Sequence, residues 1–551
     1  MRIGRRVFDL WTLVGLGILA IYVAFLAFPL FTIFKEAVAG PDGTFSLAYF
    51  QRFFGERYYF NTILNSLKLS LATMAWALVI GVPLAYFYNF FEIRGRSVVQ
   101  VLIILSSMSA PFVGAYAWIL LLGRSGLMTR FVRDTFGWEM PTIYGFNGVV
   151  LVLTLQLYPL VFLYVSGALR NVDNSLLEAS QGLGSRGLGR FVRVILPLCA
   201  TSILASALLV FMRAMADFGT PLVIGEGFRT FPVEIYKQYV GETSQNYGFA
   251  ASISVVAVAL TAIVFLLQKL VALRFSFKMN ALNRIQRRRA KPLAAVLMHA
   301  FTYLVVGVSM LPQAYLVYSS FRKTNVFGNF VRGYSLDSYR EAWRHVRRAL
   351  PTTLTIGGLS IAIVVLMSIL IAYMVVRRRG VINNTIDTMS MLPFIIPGSV
   401  VGIALALSFS SGPLVLTGTM VIMVIAMCIR RSPYTIRSSV AILQQIPVST
   451  EEAAISLGAS KLKTFFRITT PMMANGIISG AILSWVTILT ELSASIMLYS
   501  AKTQTLTLTI YVLVSRGTDG PASAVAAILM LVTALSLTLF MLLSRDRDLA
   551  I

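Results

Sequence analysis

Twelve stretches of the chain are apolar over nearly the length that crosses a bilayer, and this recurrence constrains the fold more than any other feature. A hydrocarbon core takes roughly twenty residues of helix. Within it, only helices and closed barrels satisfy every backbone amide and carbonyl. The stretches fall near 10–34, 62–89, 98–122, 147–169, 198–224 and 249–272, then near 294–319, 352–376, 386–409, 413–430, 473–499 and 522–543. Their length predicts an all-α membrane protein of about twelve spanning helices. Composition agrees: 13% of the residues are charged, against about a quarter in soluble domains.

The net charge of +25 raises the question of a nucleic-acid partner. A binder of that kind gathers its basic residues on a soluble fold. Here they sit in short loops between apolar stretches, where they set topology and touch anionic lipid. Membrane lipid is therefore the expected partner of the basic runs, and nucleic acid is not. The densest runs are Arg284, Arg287, Arg288, Arg289 and Lys291, and the triple arginine 377–379. Putting the N-terminus inside gives the inner segments the larger share of Lys and Arg, so both termini are expected in the cytoplasm. Arg2, Arg5 and Arg6 precede an apolar run that continues to about Phe34 without a small-residue cleavage site, which fits a first spanning helix. Cys199 and Cys428 are not in a CxxC pair, and with only His299 and His345 no metal site or nucleophile is expected.

The chain is also a tandem repeat. Residues 168–197 align without a gap with 442–471, at an offset of 274, and ten of those thirty positions are identical. Six stretches per copy make the two repeats parallel. The boundaries drawn are 1–273 for the first repeat, 274–293 for a basic cytoplasmic linker, and 294–551 for the second. The best-matched segments are connecting loops, near 170–197 and 431–471. One reads Glu178-Ala179-Ser180, three residues, Gly184, and ends at Pro197. The other reads Glu452-Ala453-Ala454, three residues, Gly458, and ends at Pro471. Glu-Ala-Ala favours helix, glycine suits an abrupt helix end, and proline is tolerated in the first turn of the next helix. A helix–turn–helix element in each loop follows. A lipid-facing helix needs only apolarity, whereas a docking loop needs particular side chains.

Both loops resemble the EAA loop of binding-protein-dependent ABC importer permeases, whose pattern is EAA-x3-G-x9-I-x-LP. The first departs at Ser180 and Val194, the second at Thr470. The resemblance implies the type I importer permease fold in a bacterial inner membrane, with Glu178, Ala179, Gly184, Glu452, Ala453, Ala454 and Gly458 coupling to ATPase subunits. It also implies a periplasmic or surface solute-binding protein. The sequence has no Gly-Lys dipeptide and hence no Walker A loop. The chain is thus expected to be a transport subunit, not an enzyme, without a cofactor of its own. ATP-Mg would be bound by separate ATPases, two of them to match two loops.

Two acids lie inside apolar stretches, each 39 residues beyond its loop glutamate: Asp217 and Glu491. Intramembrane acids are costly. They are read either as carboxylates of a translocation pathway or as hydrogen-bonding devices that orient the bundle. Arg213, one turn before Asp217, is expected to neutralise it; Thr487 occupies the matching place, so Glu491 lacks a local partner. Pro111, Gly114, Pro393, Pro397 and Gly398 interrupt matching helices, which can line a cavity or simply pack. The segment Ala216-Asp217-Phe218-Gly219-Thr220-Pro221 and the fused layout resemble ferric-iron importer permeases. Thiamine, 2-aminoethylphosphonate, sugar phosphates and polyamines are the alternative solutes in that class. A secondary ion-coupled transporter is the alternative of another class, but it does not need two matched loops.

Overall fold

The computed structural model describes residues 10–40, 43–108, 110–185, 187–241, 246–274, 287–325, 327–378 and 380–543. Arg2, Arg5, Arg6, Arg284, Arg379, residues 275–286 of the expected linker and residues 544–551 lie outside them. The described chain is almost entirely helical, with a two-stranded antiparallel hairpin of Arg322–Thr324 and Phe330–Tyr334.

Each repeat is built on three packed helices. In the first these are α1 (Arg57–Phe90), α2 (Phe146–Arg170) and α3 (Ala200–Met215); in the second, α4 (Asp337–Arg377), α5 (Met420–Gln445) and α6 (Ala474–Leu489). The offset of 274 holds in three dimensions: α2 and α5 start 274 residues apart, as do α3 and α6, and Pro159 inside α2 matches Pro433 inside α5. Among the described residues, eight helices are long and apolar enough to cross a membrane, or up to eleven when three bent pairs are each counted as one span.

The stretch expected at 413–430 is placed differently. Residues 413–419 form a loop, and α5 runs on from Met420 to Gln445, inside the segment expected as a loop from 431. This places Arg430, Arg431 and Arg437 within a single helix. They are accommodated by carboxylates: Arg430 and Arg431 pair with Glu491, and Arg437 pairs with Asp387 at 2.7 Å.

Small residues let the helices meet. Gly476 and Gly480 of α6 form a G-x-x-x-G face against α5. A side-chain carbon at Gly480 would lie 2.7 Å from Thr435 Cα and 2.9 Å from Ser438 Cβ. Such contact is how helices associate where lipid removes the hydrophobic drive between them. The first helix of each repeat crosses to the other. Leu10–Ala37 packs on Val381–Ile395 and Gly398–Ser408, and Pro292–Ser320 packs on Arg96–Met108 and Pro111–Leu122. The buried cores follow the same exchange. Trp11, Ile18 and Ile33 join the core that carries the second repeat, while Val305, Val306 and Tyr315 join that of the first.

Gly480→Leu forces α5 and α6 apart and should cost about 1–3 kcal/mol, read as a lower unfolding midpoint of the purified protein in detergent. Gly307 is exposed with open space about it, so Gly307→Leu should leave the midpoint in place.

Candidate functional site

The two matched loops fold alike. Asn174–Gly182 and Val448–Ser456 are short helices at matching positions, the first capped by Asp173, which accepts from Ser175 N at 2.9 Å. Each ends on a glycine with positive φ, +85° at Gly184 and +89° at Gly458, a conformation in which other residues are strained. In each, the next amide closes the turn at 3.0 Å: Ser185 N to Ser180 O, and Ala459 N to Ala454 O. The leucine before each glycine, Leu183 or Leu457, is 89% exposed. Glu178, Ala179, Glu452 and Ala453 are exposed as well, whereas Ala454 packs inward. Both loops then enter a π-helical turn, Phe191–Ile195 or Phe465–Thr469, just before Pro197 or Pro471, and the chain bends by 70° or 65° into α3 or α6. Proline removes the amide that would continue the regular ladder.

Basic residues expected at the lipid surface hold this region together. Arg377 Nε donates to the buried Glu451 at 2.8 Å, and its Nη2 donates to Ile446 O at 2.8 Å. Arg288 Nη1 donates to Gln181 of the first loop at 3.2 Å, and Arg289 pairs with Glu92. Arg377 fastens the second loop to the bundle, and Arg288 reaches the first.

The two intramembrane acids share one local job. Asp217 Oδ1 accepts from Thr220 N at 2.9 Å, and Glu491 Oε1 accepts from Ala494 N at 3.0 Å. Each follows the end of a broken helix and satisfies an amide at the start of the short helix beyond, Thr220 within Gly219–Ile224 or Ala494 at the N-cap of Ser495–Leu498. The expected pairing is reversed, however. Arg213 does not bond Asp217; its Nη2 donates to the Tyr434 hydroxyl at 2.7 Å, across from the first repeat to the second. Glu491, expected to lack a local partner, has two from another helix. Arg430 Nη1 donates to Glu491 Oε1 at 2.7 Å and to Ser493 Oγ at 2.8 Å, and Arg431 Nη2 donates to Glu491 Oε2. Local spacing misled because both arginines come from α5, some sixty residues away in sequence.

Pro397 precedes the helix Gly398–Ser408, and the chain bends by 111° between Val381–Ile395 and that helix. The bend carries Gly398 against the guanidinium of Arg430 and against Ser493; any side chain at 398 would collide with both. In the first repeat the matching contact is Gly219 against Phe112, and the place of Arg430 is taken by Gln156, which lines a small polar cavity with Ser106 and Gln313. Sequence reading missed Arg430, Arg431, Tyr434 and Ser493. The repeat offset was the available signal, because it maps Arg430 and Arg431 onto Gln156 and Leu157 in mid-helix. Among the described residues, no three His, Cys, Asp or Glu side chains gather where they would hold a metal ion.

Removing one partner from a buried ion pair strands the other. Glu491→Leu should therefore cost about 3–5 kcal/mol, and Glu491→Gln, which keeps the capping acceptor, should cost less. Asp217→Asn retains its cap and should cost under about 1 kcal/mol. Unfolding midpoints of the purified variants in detergent check this order.

The family of inner membrane components of binding-protein-dependent transport systems matches residues 77–277 and 343–548, one match in each repeat. The chain is 29% identical over 527 residues to the ferric transport system permease protein FbpB of Actinobacillus pleuropneumoniae, covering 94% of this chain and 76% of that one. It is 28% identical over 503 residues to a protein of Haemophilus influenzae named FbpB 1, whose name assigns it to ferric transport, covering 89% of this chain and 78% of that one. PhnU of Salmonella typhi, whose name assigns it to 2-aminoethylphosphonate transport, is 28% identical over 269 residues, covering 48% of this chain and 91% of that one. Two matches that together span most of the chain identify a multi-pass permease subunit of an ATP-driven importer, not an enzyme. The chain belongs to the family of binding-protein-dependent transport system inner membrane components.

Proposed function

We propose that the chain carries ferric iron across the inner membrane, receiving it from a binding protein and passing it inward by alternating access. The observation that carries the solute is the similarity to ferric transport permeases over nearly the full chain, through both repeats. PhnU matches only about half of it. In this reading both termini and both loops face the cytoplasm. Glu178, Ala179, Gly184, Glu452, Ala453, Ala454 and Gly458 form the coupling elements, and each docks one ATPase subunit that binds ATP-Mg, so that one permease chain takes two. The exposed Leu183 and Leu457 support this, since an apolar side chain at the tip of a turn gains most when a partner covers it. Arg213, Asp217, Glu491 and Pro397 belong to the pathway or its hinges. Asp217 and Glu491 hold the ends of the broken helices, and Pro397 sets the bend between two of them.

Native mass spectrometry of the solubilised complex should give one permease to two ATPases; a stable complex with a single ATPase contradicts the docking assignment. Gly458→Asp or Gly184→Asp forces a side chain into positive φ, at roughly 1–2 kcal/mol. Either should abolish solute-stimulated ATP hydrolysis and uptake in proteoliposomes while the protein remains inserted. A double variant with normal stimulated hydrolysis would reduce the loops to connectors.

A further inference from the structure

The buried charges near the break of the second repeat do not balance. Arg213, Arg430 and Arg431 bring three guanidinium groups together around the Tyr434 hydroxyl. Among the described residues, the only carboxylate paired with any of them is Glu491. An excess of two positive charges therefore stays inside a bundle that crosses the membrane, where a single uncompensated charge is costly. The arginines are not saturated either. Nε of Arg430 and Nε of Arg431 are buried without a hydrogen-bond partner among the described residues. Their side chains are only 12% and 14% exposed. Tyr164 of α2, which neighbours Arg213 and Tyr434, is 47% exposed, so the cluster lies beside an accessible side chain.

The shape is that of an acceptor site. Arginine presents donors in a planar fork that matches the oxygens of phosphate or carboxylate. Glu491 and Ser493 hold Arg430 from one side, and Tyr434 holds Arg213 from the other. Gly398 leaves room for the Arg430 guanidinium. The repeats contribute unequally: Gln156, Leu157 and Leu160 stand in the first at the places of Arg430, Arg431 and Tyr434, and Thr487 stands in the second at the place of Arg213. A bare multivalent cation would be repelled by such a group, whereas an oxyanion would be drawn to it.

We infer that Arg213, Arg430 and Arg431 form an oxyanion-binding site between the repeats, with Tyr434 orienting Arg213, so that cargo passes as a phosphate-like oxyanion or as a metal ion bound to one. Arg213 is the residue to test, because it pairs with no carboxylate and its loss strands none. The inference rests on the importer reading. Solute-stimulated ATP hydrolysis by the wild-type complex is therefore measured alongside, and an active transporter that binds no phosphate removes the arginine assignment alone.

The experiment follows radiolabelled inorganic phosphate binding to the permease–ATPase complex in nanodiscs, for wild type, Arg213→Gln and Arg213→Lys, with and without equimolar ferric ion. Wild type should bind saturably. Arg213→Gln should weaken binding about tenfold or more, and Arg213→Lys, which keeps the charge but loses the fork, should fall between. Binding without ferric ion identifies the free oxyanion as ligand; binding only with it identifies an oxyanion–metal complex. Absence of saturable binding in both arms overturns the site, as does binding unchanged by Arg213→Gln in an assembled complex. Should Arg213→Gln fail to assemble, affinity unchanged in Arg213→Lys overturns it equally.

Discussion

Inside hydrocarbon a backbone can bond only to itself or to the side chains beside it, and the breaks at the ends of α3 and α6 are built around that constraint. Where the chain leaves α3, Asp217 takes up the amide of Thr220; where it leaves α6, Glu491 takes up the amide of Ala494. A break at membrane depth frees amides and carbonyls, and a carboxylate two residues past the helix end is a compact way to recapture one. The acids are thus first of all conditions for the helices to be discontinuous. Discontinuity then gives the repeats short segments, Gly219–Ile224 and Ser495–Leu498, beyond the ends of the long helices.

Carboxylates in that position must themselves be accommodated, and the repeats differ in how they do so. Asp217 remains a cap. Glu491 has in addition drawn Arg430 and Arg431 inward from α5, and Gly398 and Ser493 complete the space around them. Gly398 and Arg430 are matched, since the guanidinium takes the place that a side chain at 398 would fill. The backbone symmetry of the duplication survives while its chemistry does not.

Much of the architecture was legible from residues alone because it depends on local quantities. Apolar length marks a span, and the offset of 274 marks the duplication. Gly184 and Gly458 mark turns that need positive φ. Pro397 and Gly398 marked a break, though not what would fill it. The pairing of charges was not legible. Arg213 and Asp217 are one turn apart in sequence, yet the break between α3 and the following segment turns the carboxylate toward Thr220. The span is expected to end at 430, yet α5 runs on through Arg431 and Arg437, and apposition of α5 with the end of α6 and with Val381–Ile395 supplies the partners of Arg430, Arg431 and Arg437. Arg377 likewise read as a topology signal and is instead the tie that holds Glu451 and Ile446.

The duplication within a single chain has a consequence for what such a pore can become. Two identical half-length subunits around a two-fold axis must repeat every substitution, so an arginine gained on one side arrives on the other as well, and mutual repulsion limits how many can be kept. Joining the halves in one polypeptide removes that obligation. Each half can then carry arginines that its twin lacks, as Arg430 against Gln156 and Arg213 against Thr487 illustrate. Covalent fusion thereby lets charges from the two halves meet at one place without being duplicated at a second.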